Sequence, residues 1–170
     1  MHPEAFETMR EFADSWVPKY FKEGQILEIL DVGSMNLGGG CHRDLFTGHV
    51  YTGLDIEVGN NVDVVVPNPY EWFELKDKLH DVVISGQAFE HIEFPWLTMG
   101  QIRYTLKPGG LCCITVPGAG PEHRYPVDCW RFLPDGMRAL GKYVGFDVLD
   151  IQVQDDSWRT TRAIYQKPQE

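Results

Sequence analysis

Two acids and a glycine carry the first chemical signal. Asp31 closes the apolar run ILEILD, Gly33 follows in VGS, and Asp55 closes a second apolar run, YTGLD. A strand, a flexible glycine turn and an acid after the next strand describe a nucleoside-binding crevice. Glycine lets backbone approach a ligand closely, and a carboxylate at the end of the second strand accepts hydrogen bonds from both ribose hydroxyls. Spacing then removes two ligands. A dinucleotide fingerprint requires Gly-x-Gly-x-x-Gly, whereas Met35 stands two after Gly33. A phosphate-cradling loop requires Lys and then Ser or Thr after its second glycine; Gly33 and Gly38 have the right gap, but Gly39 and Gly40 follow. What remains is a ligand with a ribose and no polyphosphate, a description that S-adenosylmethionine fits.

The elements that must position these residues are written in the periodicity. Phe6, Met9, Ala13, Trp16, Val17 and Tyr20 fall at helical spacing and Gly24 ends the pattern, which predicts an amphipathic helix before the first strand. Strand-like runs recur at 26–32, 50–54, 62–66, 81–85 and 111–116. Several are apolar on consecutive positions, as a parallel sheet covered by helices on both faces requires. Helical segments are expected at 39–47, at 70–78 and at 94–106, where Trp96, Met99, Ile102 and Leu106 share a face; Lys107 to Gly110 then stop the helix and turn the chain into the next strand. Pro134 starts a further helix with Met137, Leu140 and Val144 on one side and Gly145 past its end. The runs 146–153 and 158–166 read as a closing antiparallel hairpin.

Composition bounds the setting. A chain of 170 residues suits one domain with a substantial core. A formal net charge of -10 argues against a general nucleic-acid surface, which needs clustered Lys and Arg to neutralise phosphate. The four cysteines form no Cys-x-x-Cys pair, and Cys112 with Cys113 falls in an apolar strand, where neighbours point to opposite faces and pack as small hydrophobes. The start of the chain is acidic and no apolar run approaches membrane-spanning length, so no membrane association and a reducing cytoplasm are expected. Cys41, His42, His123, Asp128 and Cys129 lack tight ligand pairs and no paired-acid motif is present, so no metal is expected.

Four pieces in order, LEILDVGS, YTGLDI, DVVISGQAFEHIEFP and LKPGGLCCITVPG, span residues 26–118. Together they resemble the class I S-adenosylmethionine-dependent methyltransferases, particularly methyltransferase type 11. The resemblance implies an α/β fold, a Rossmann-like doubly wound, mostly parallel seven-stranded sheet with an antiparallel closing hairpin. It divides a single domain into an N-terminal helix (1–24), a cofactor-binding core (25–118) and an acceptor-site segment with closing strands (119–170). By that resemblance Asp31, Gly33 and Ser34 line the methionine end of S-adenosylmethionine, Asp55 holds the ribose and Ile56 packs on adenine. Gly86 and Gln87 face the cofactor. The family's usual acid for the adenine amino group is replaced by PNPY, leaving Asn68 and Tyr70 as candidates; an Asn carbonyl oxygen accepts the same hydrogen bond without charge. Asp31 has an alternative reading as a helix cap, and Gly38 to Gly40 as a permissive loop.

In this architecture the segment after the fifth strand opens at the carboxyl edge of the sheet, where His123, Arg124, Tyr125, Asp128 and Trp130 suit an acceptor pocket. The other reading of the segment is a packed lid. Methyl transfer is an in-line displacement that asks the protein to align the reactants and exclude water. His123, and after it His91, are the candidate bases. Tyr125 and Asp128 are candidates for orienting the acceptor or the imidazole, with Trp130 as a wall; Glu90 reads as a local structural acid. The expected substrate is a small molecule or glycan, with oxygen favoured over nitrogen, and any large substrate would need a partner or a second subunit, as in a homodimer. The alternative is an inactive nucleoside-binding or regulatory module that keeps the fold.

Overall fold

The structure is a computed structural model that describes residues 3–169. Its centre is one seven-stranded sheet in the order β3-β2-β1-β4-β5-β7-β6. The strands are β1 (Glu28–Val32), β2 (Val50–Asp55), β3 (Val64–Val65), β4 (His80–Gly86), β5 (Leu106–Val116), β6 (Asp147–Val153) and β7 (Thr161–Gln166). The first five are mutually parallel, and β7 runs antiparallel to both β5 and β6. This is the Rossmann-like, doubly wound arrangement with an antiparallel closing hairpin that the sequence implies. The order reverses direction at β1 and β4, so a crevice opens beyond the carboxyl ends of those two strands.

The sheet separates two cores. On one face Leu30, Val83, Cys112, Ile114 and Tyr165 pack against Met99 and Ile102 of α3 (Pro95–Thr105) and Met137 and Leu140 of α4 (Pro134–Tyr143). On the other, Ile29, Val82, Ile84, Cys113 and Ile164 meet Met9, Phe12 and Val17. Cys112 and Cys113 therefore occupy opposite cores as the strand alternation predicts, and burial pushes both thiols upward. All four cysteines are free thiols.

The N-terminal helix departs from a simple 3.6-residue pattern. It runs as α1 (Pro3–Glu11), a π turn at Phe12–Trp16 and α2 (Val17–Tyr20). The Val17 N–H reaches back five residues to the Phe12 carbonyl, and Pro18, which has no N–H to donate, follows at once. The wider turn keeps Phe12 and Val17, five apart, on the buried side, while Tyr20 lies exposed.

Four other expectations change. The 39–47 segment is only a 3₁₀ turn at His42–Phe46, and 70–78 only one at Phe73–Leu75; each is too short for the 3.6-residue repeat to establish itself. Lys107 to Gly110 do not separate helix from strand. β5 starts at Leu106 directly after α3, with Leu106 opposite His80, and the register slips between His80 and Val82 to absorb the extra residues. In α3 the buried side is Thr98, Met99, Ile102 and Thr105, and Trp96 faces outward. At the end of α4, Gly145 takes a positive φ and Phe146 N–H bonds the Gly141 carbonyl at 2.9 Å, a glycine stop as the sequence predicts.

Candidate functional site

The crevice begins where β1 gives out. Gly33 has φ +75°, and a Cβ there would lie 2.3 Å from the Cβ of Ala88, so only glycine passes between the β1 loop and the β4 loop. The Gly33 and Ser34 N–H groups both donate to the Leu54 carbonyl, at 2.9 and 3.0 Å, and Ser34 Oγ donates to the Asn61 carbonyl at 3.1 Å. Asp55 stands at the tip of β2. One of its oxygens accepts from the Met35 N–H at 2.9 Å, the other from the Ile56 N–H at 2.8 Å. The acid thus pins the loop that follows Gly33 and retains lone pairs for a ligand. Burial raises its pKa, with the two backbone N–H groups pulling the other way. Ile56 is exposed beside it.

Asp31 is turned inward. It is 1% exposed, and its Oδ2 takes hydrogen bonds from the Tyr51 hydroxyl and from His42 Nδ1, the latter at 3.1 Å. Desolvation, then the Asp31 charge, drives the Tyr51 hydroxyl far above its ordinary pKa. Asp31 Oδ1 and His42 Nε2 are buried without a protein partner. The imidazole fills the space over Gly86, where a Cβ would meet His42 Cε1 at 2.3 Å. Next to it Gln87 has φ +54°, its N–H donates to the Thr115 carbonyl at 2.8 Å, and its Nε2 is also buried and unpartnered. Orphaned polar atoms cost about 1–3 kcal/mol each, and three of them gather at the ends of β1 and β4.

The adenine-side candidates are differently engaged. Asn68 Oδ1 accepts from the Tyr70 N–H at 3.0 Å, closing a turn, and the Tyr70 hydroxyl accepts from the Phe94 N–H at 3.3 Å. Gly38 and Gly39 have positive φ, and Phe6 of α1 lies against Gly40.

The second cluster lies past β4 and β5. His91 Nδ1 donates to the Val127 carbonyl at 2.6 Å. The His123 backbone N–H donates to Asp128 Oδ2 at 2.6 Å, and its Nδ1 lies 3.5 Å from that same oxygen. Asp128 is gripped by Arg131, Nη1 to Oδ1 at 2.6 Å and Nη2 to Oδ2 at 2.8 Å, and this fork holds its carboxyl well below the usual carboxylate range. The two imidazole rings meet edge-on at 4.9 Å, and Tyr125 stands edge-on to both. Burial lowers the His91 pKa. Trp130 donates from Nε1 to the Ile92 carbonyl and sits at 6.4 Å from Trp96, within an aromatic row that continues through Phe94 to Tyr70. Beside the cluster an open groove of about 260 Å³ is bounded by Gly120, Glu122 and Asp128 to Arg131.

Two participants were not singled out by sequence reading. Arg131 locks Asp128 from three residues on, and Glu90, read as a structural acid, lies fully buried between the histidines. Burial pushes its carboxyl up to about 8, and neither oxygen has a hydrogen-bond partner.

Residues 30–114 match the sequence model of a family described as "Methyltransferase domain". The chain belongs to that family. The matched stretch of this methyltransferase domain contains Asp31, Gly33, Asp55, Gly86 and Glu90 with His91, and stops before His123, Asp128 and Arg131. A comparison with curated proteins returns no match. Among solved structures, the Burkholderia thailandensis 1,6-didemethyltoxoflavin-N1-methyltransferase, solved with 1,6-didemethyltoxoflavin and S-adenosylhomocysteine, superposes with a TM-score of 0.71 at 16% identity, over 96% of this chain and 78% of that one. A SAM-dependent methyltransferase from Archaeoglobus fulgidus gives 0.64 at 19% identity, over 95% and 94%. The [4+2]-cyclase SpnF gives 0.67 at 14% identity, over 94% and 80%. The fold is shared by all three, and the last is named for a different chemistry. No helix among the described residues is long and apolar enough to cross a membrane.

Proposed function

We propose that this methyltransferase domain binds S-adenosylmethionine and transfers its methyl group to a small-molecule or glycan acceptor, at oxygen in preference to nitrogen. The observation that carries the reading is Asp55. It is a partly buried carboxylate at the tip of β2, fixed by the Met35 N–H and facing the glycine-shaped β1 loop, where a ribose diol would find two acceptors. Gly33 and Ser34 form the loop at the methionine end, and Asp31 with its free Oδ1 lies behind them. Gly86 and Gln87 line the β4 side, and Ile56 offers an apolar surface to the adenine. Asn68 and Tyr70 are the nearest polar groups for the adenine amino group, and Asn68 would have to release its own turn to serve.

When bound, S-adenosylmethionine supplies a methyl group activated on a sulfonium. The chain's own residues then have to place an acceptor and deal with its proton. Tyr125 and the Trp130–Trp96 row give flat walls suited to a sugar or an aromatic ring. His123 is the first candidate to take a hydroxyl proton, at Nε2, because its Nδ1 side is held toward Asp128 and its side chain is the more exposed of the pair, 27% against 12% for His91. Asp128, locked by Arg131, positions that ring. The four free thiols agree with a reducing compartment such as the cytoplasm.

Calorimetry with S-adenosylmethionine and with its demethylated product tests the reading directly: both bind the wild-type chain, and Asp55→Ala loses most of the affinity. If neither binds, the proposal falls. Labelled-methyl incorporation from a cell extract then names the acceptor class.

A further inference from the structure

We propose that Glu90, His91 and His123 bind a divalent first-row transition-metal ion at the acceptor end of the crevice. Three facing ligand atoms converge there. Glu90 Oε1 lies 3.7 Å from His91 Nε2 and 3.8 Å from His123 Nε2, and the three atoms fall within 4.8 Å of one another. These separations are too long for hydrogen bonds. They are close to the ligand-to-ligand spacing of a tetrahedral ion, about 3.4 Å for bonds of roughly 2.1 Å, so small side-chain rotations suffice to close the shell.

The surroundings are those of a metal site. A ligating histidine needs its second nitrogen held by an acceptor, which fixes the tautomer and leaves the first nitrogen's lone pair free. His91 Nδ1 donates to the Val127 carbonyl at 2.6 Å. His123 Nδ1 lies 3.4 Å from the Pro121 carbonyl, an acceptor for its proton, and 3.5 Å from the Asp128 carboxylate, with Arg131 Nη2 at 3.4 Å from the same nitrogen. Both Nε2 atoms face Glu90 Oε1, and that third group is a carboxyl with 0% exposure and two unpartnered oxygens. A buried acid without a hydrogen bond costs several kcal/mol unless something pairs with it. A cation supplies the partner to all three groups at once.

Two imidazoles and one carboxylate suit zinc, iron, cobalt or nickel better than magnesium or calcium. Three protein ligands leave at least one coordination position, and the most exposed of the three is His123, at 27%, with Tyr125 edge-on to its ring. An acceptor hydroxyl entering there would ligate the ion and be acidified by it. With the cation in place, both Nε2 lone pairs are committed, and the ion takes over from His123 the task of making the acceptor oxygen nucleophilic. This role rests on the methyl-transfer reading; the binding claim does not.

The test uses the full chain, stripped with a chelator and without S-adenosylmethionine, so that it is independent of cofactor binding. Co²⁺ titration followed by visible absorption, and Zn²⁺ uptake by equilibrium dialysis, are expected to saturate at one equivalent. His91→Ala, His123→Ala and Glu90→Gln should each weaken uptake by more than about 100-fold, beyond the 10–100-fold typical of outer-shell changes, while Cys129→Ser leaves it intact. On the unaltered Co²⁺ protein, NMR should show two exchangeable, paramagnetically shifted imidazole N–H signals, a readout that does not depend on any variant folding. Absence of stoichiometric uptake overturns the proposal, as does uptake that survives all three substitutions or a cobalt spectrum without shifted imidazole signals.

Discussion

Replacing Gly33 with alanine tests the geometry of the crevice where the β1 and β4 loops touch. Two costs arise from separate features of the structure. At φ +75° a residue with a Cβ pays roughly 1–2 kcal/mol. The new Cβ would also stand 2.3 Å from Ala88 Cβ, against an ordinary contact of 3.4–4 Å, an overpacking worth about 1–3 kcal/mol. Gly33→Ala is therefore expected to destabilise the fold by about 2–5 kcal/mol, and the components can be separated. Ala88→Gly alone costs about 0.5–1 kcal/mol from backbone freedom, but in the Gly33→Ala background it removes the steric conflict and leaves only the conformational cost. Urea unfolding of the four proteins gives the cycle, with an expected coupling of about 1–3 kcal/mol in favour of the double variant. S-adenosylmethionine calorimetry on the same set should follow the same order. Additive effects, within about 0.5 kcal/mol, would refute the contact as the reason for glycine at this position.

Further outcomes follow from the charged groups. Because burial raises the Asp55 pKa and ribose hydroxyls favour its ionised form, S-adenosylmethionine affinity should rise as pH increases toward the raised pKa of the free protein and level off above it. Asp55→Asn should bind about 10–160-fold more weakly, from about 1.5–3 kcal/mol of charge-assisted hydrogen bonding, with no such pH dependence; calorimetry across the acid range that found wild-type affinity in the variant would reject the ribose assignment. Arg162 has 0% exposure, with Nη2 bonded to Asp150 at 2.9 Å and Gln152 at 3.0 Å and Nη1 2.8 Å from Glu11. Its removal as Arg162→Ala strands those acids and should cost about 2–4 kcal/mol, less than a fully buried pair since its partners reach solvent, whereas Arg162→Met, which keeps the volume, should cost less in the same urea assay. His80 is 2% exposed and burial lowers its pKa below 6.5, so the folded state holds it neutral. Its contribution is complete above pH 6.5 and is lost as pH falls below that value toward the folded pKa, by at most about 1.4 kcal/mol per pH unit. His80→Gln should flatten the difference between urea midpoints at pH 7.5 and 5.5; an unchanged slope would show that the ring is not held neutral.

The parallel core is legible in the sequence because a strand buried on both faces reads as consecutive apolar residues, and runs such as DVVIS and LCCITV have few other homes. Helix α4 is legible through Pro134 at its start and Gly145 at its stop. What a 3.6-residue template misses is any turn with another period. Phe12, three residues after Met9, and Val17, five residues further on, both reach the core because the π turn before Pro18 widens the count between them. Trp96 fails in the opposite direction. Its ring packs instead against Phe94 and against Trp130, the latter 34 residues away and outside any local pattern.

The site divides along the same line. Asp31, Gly33 and Asp55 are found from sequence because their relation is local: each lies at the end of a strand whose neighbour is fixed by the fold class. Yet two of the three have reasons for their identity that lie in protein contacts. Asp31 answers to His42 and Tyr51, 11 and 20 residues later, and Gly33 answers to Ala88. The histidine cluster is harder to read. His91 and His123 are 32 residues apart on different loops, and Glu90, adjacent to one of them, resembles any acid at the end of a short turn. Only the return of the chain through Val127 and Asp128 brings a carbonyl and a carboxylate behind the two rings and turns both Nε2 atoms onto Glu90. A spacing rule built on close ligand pairs would miss this constellation. It recognises neighbours along the chain, whereas these three groups meet through the return of a distant loop, with His91 held from its far side by the Val127 carbonyl.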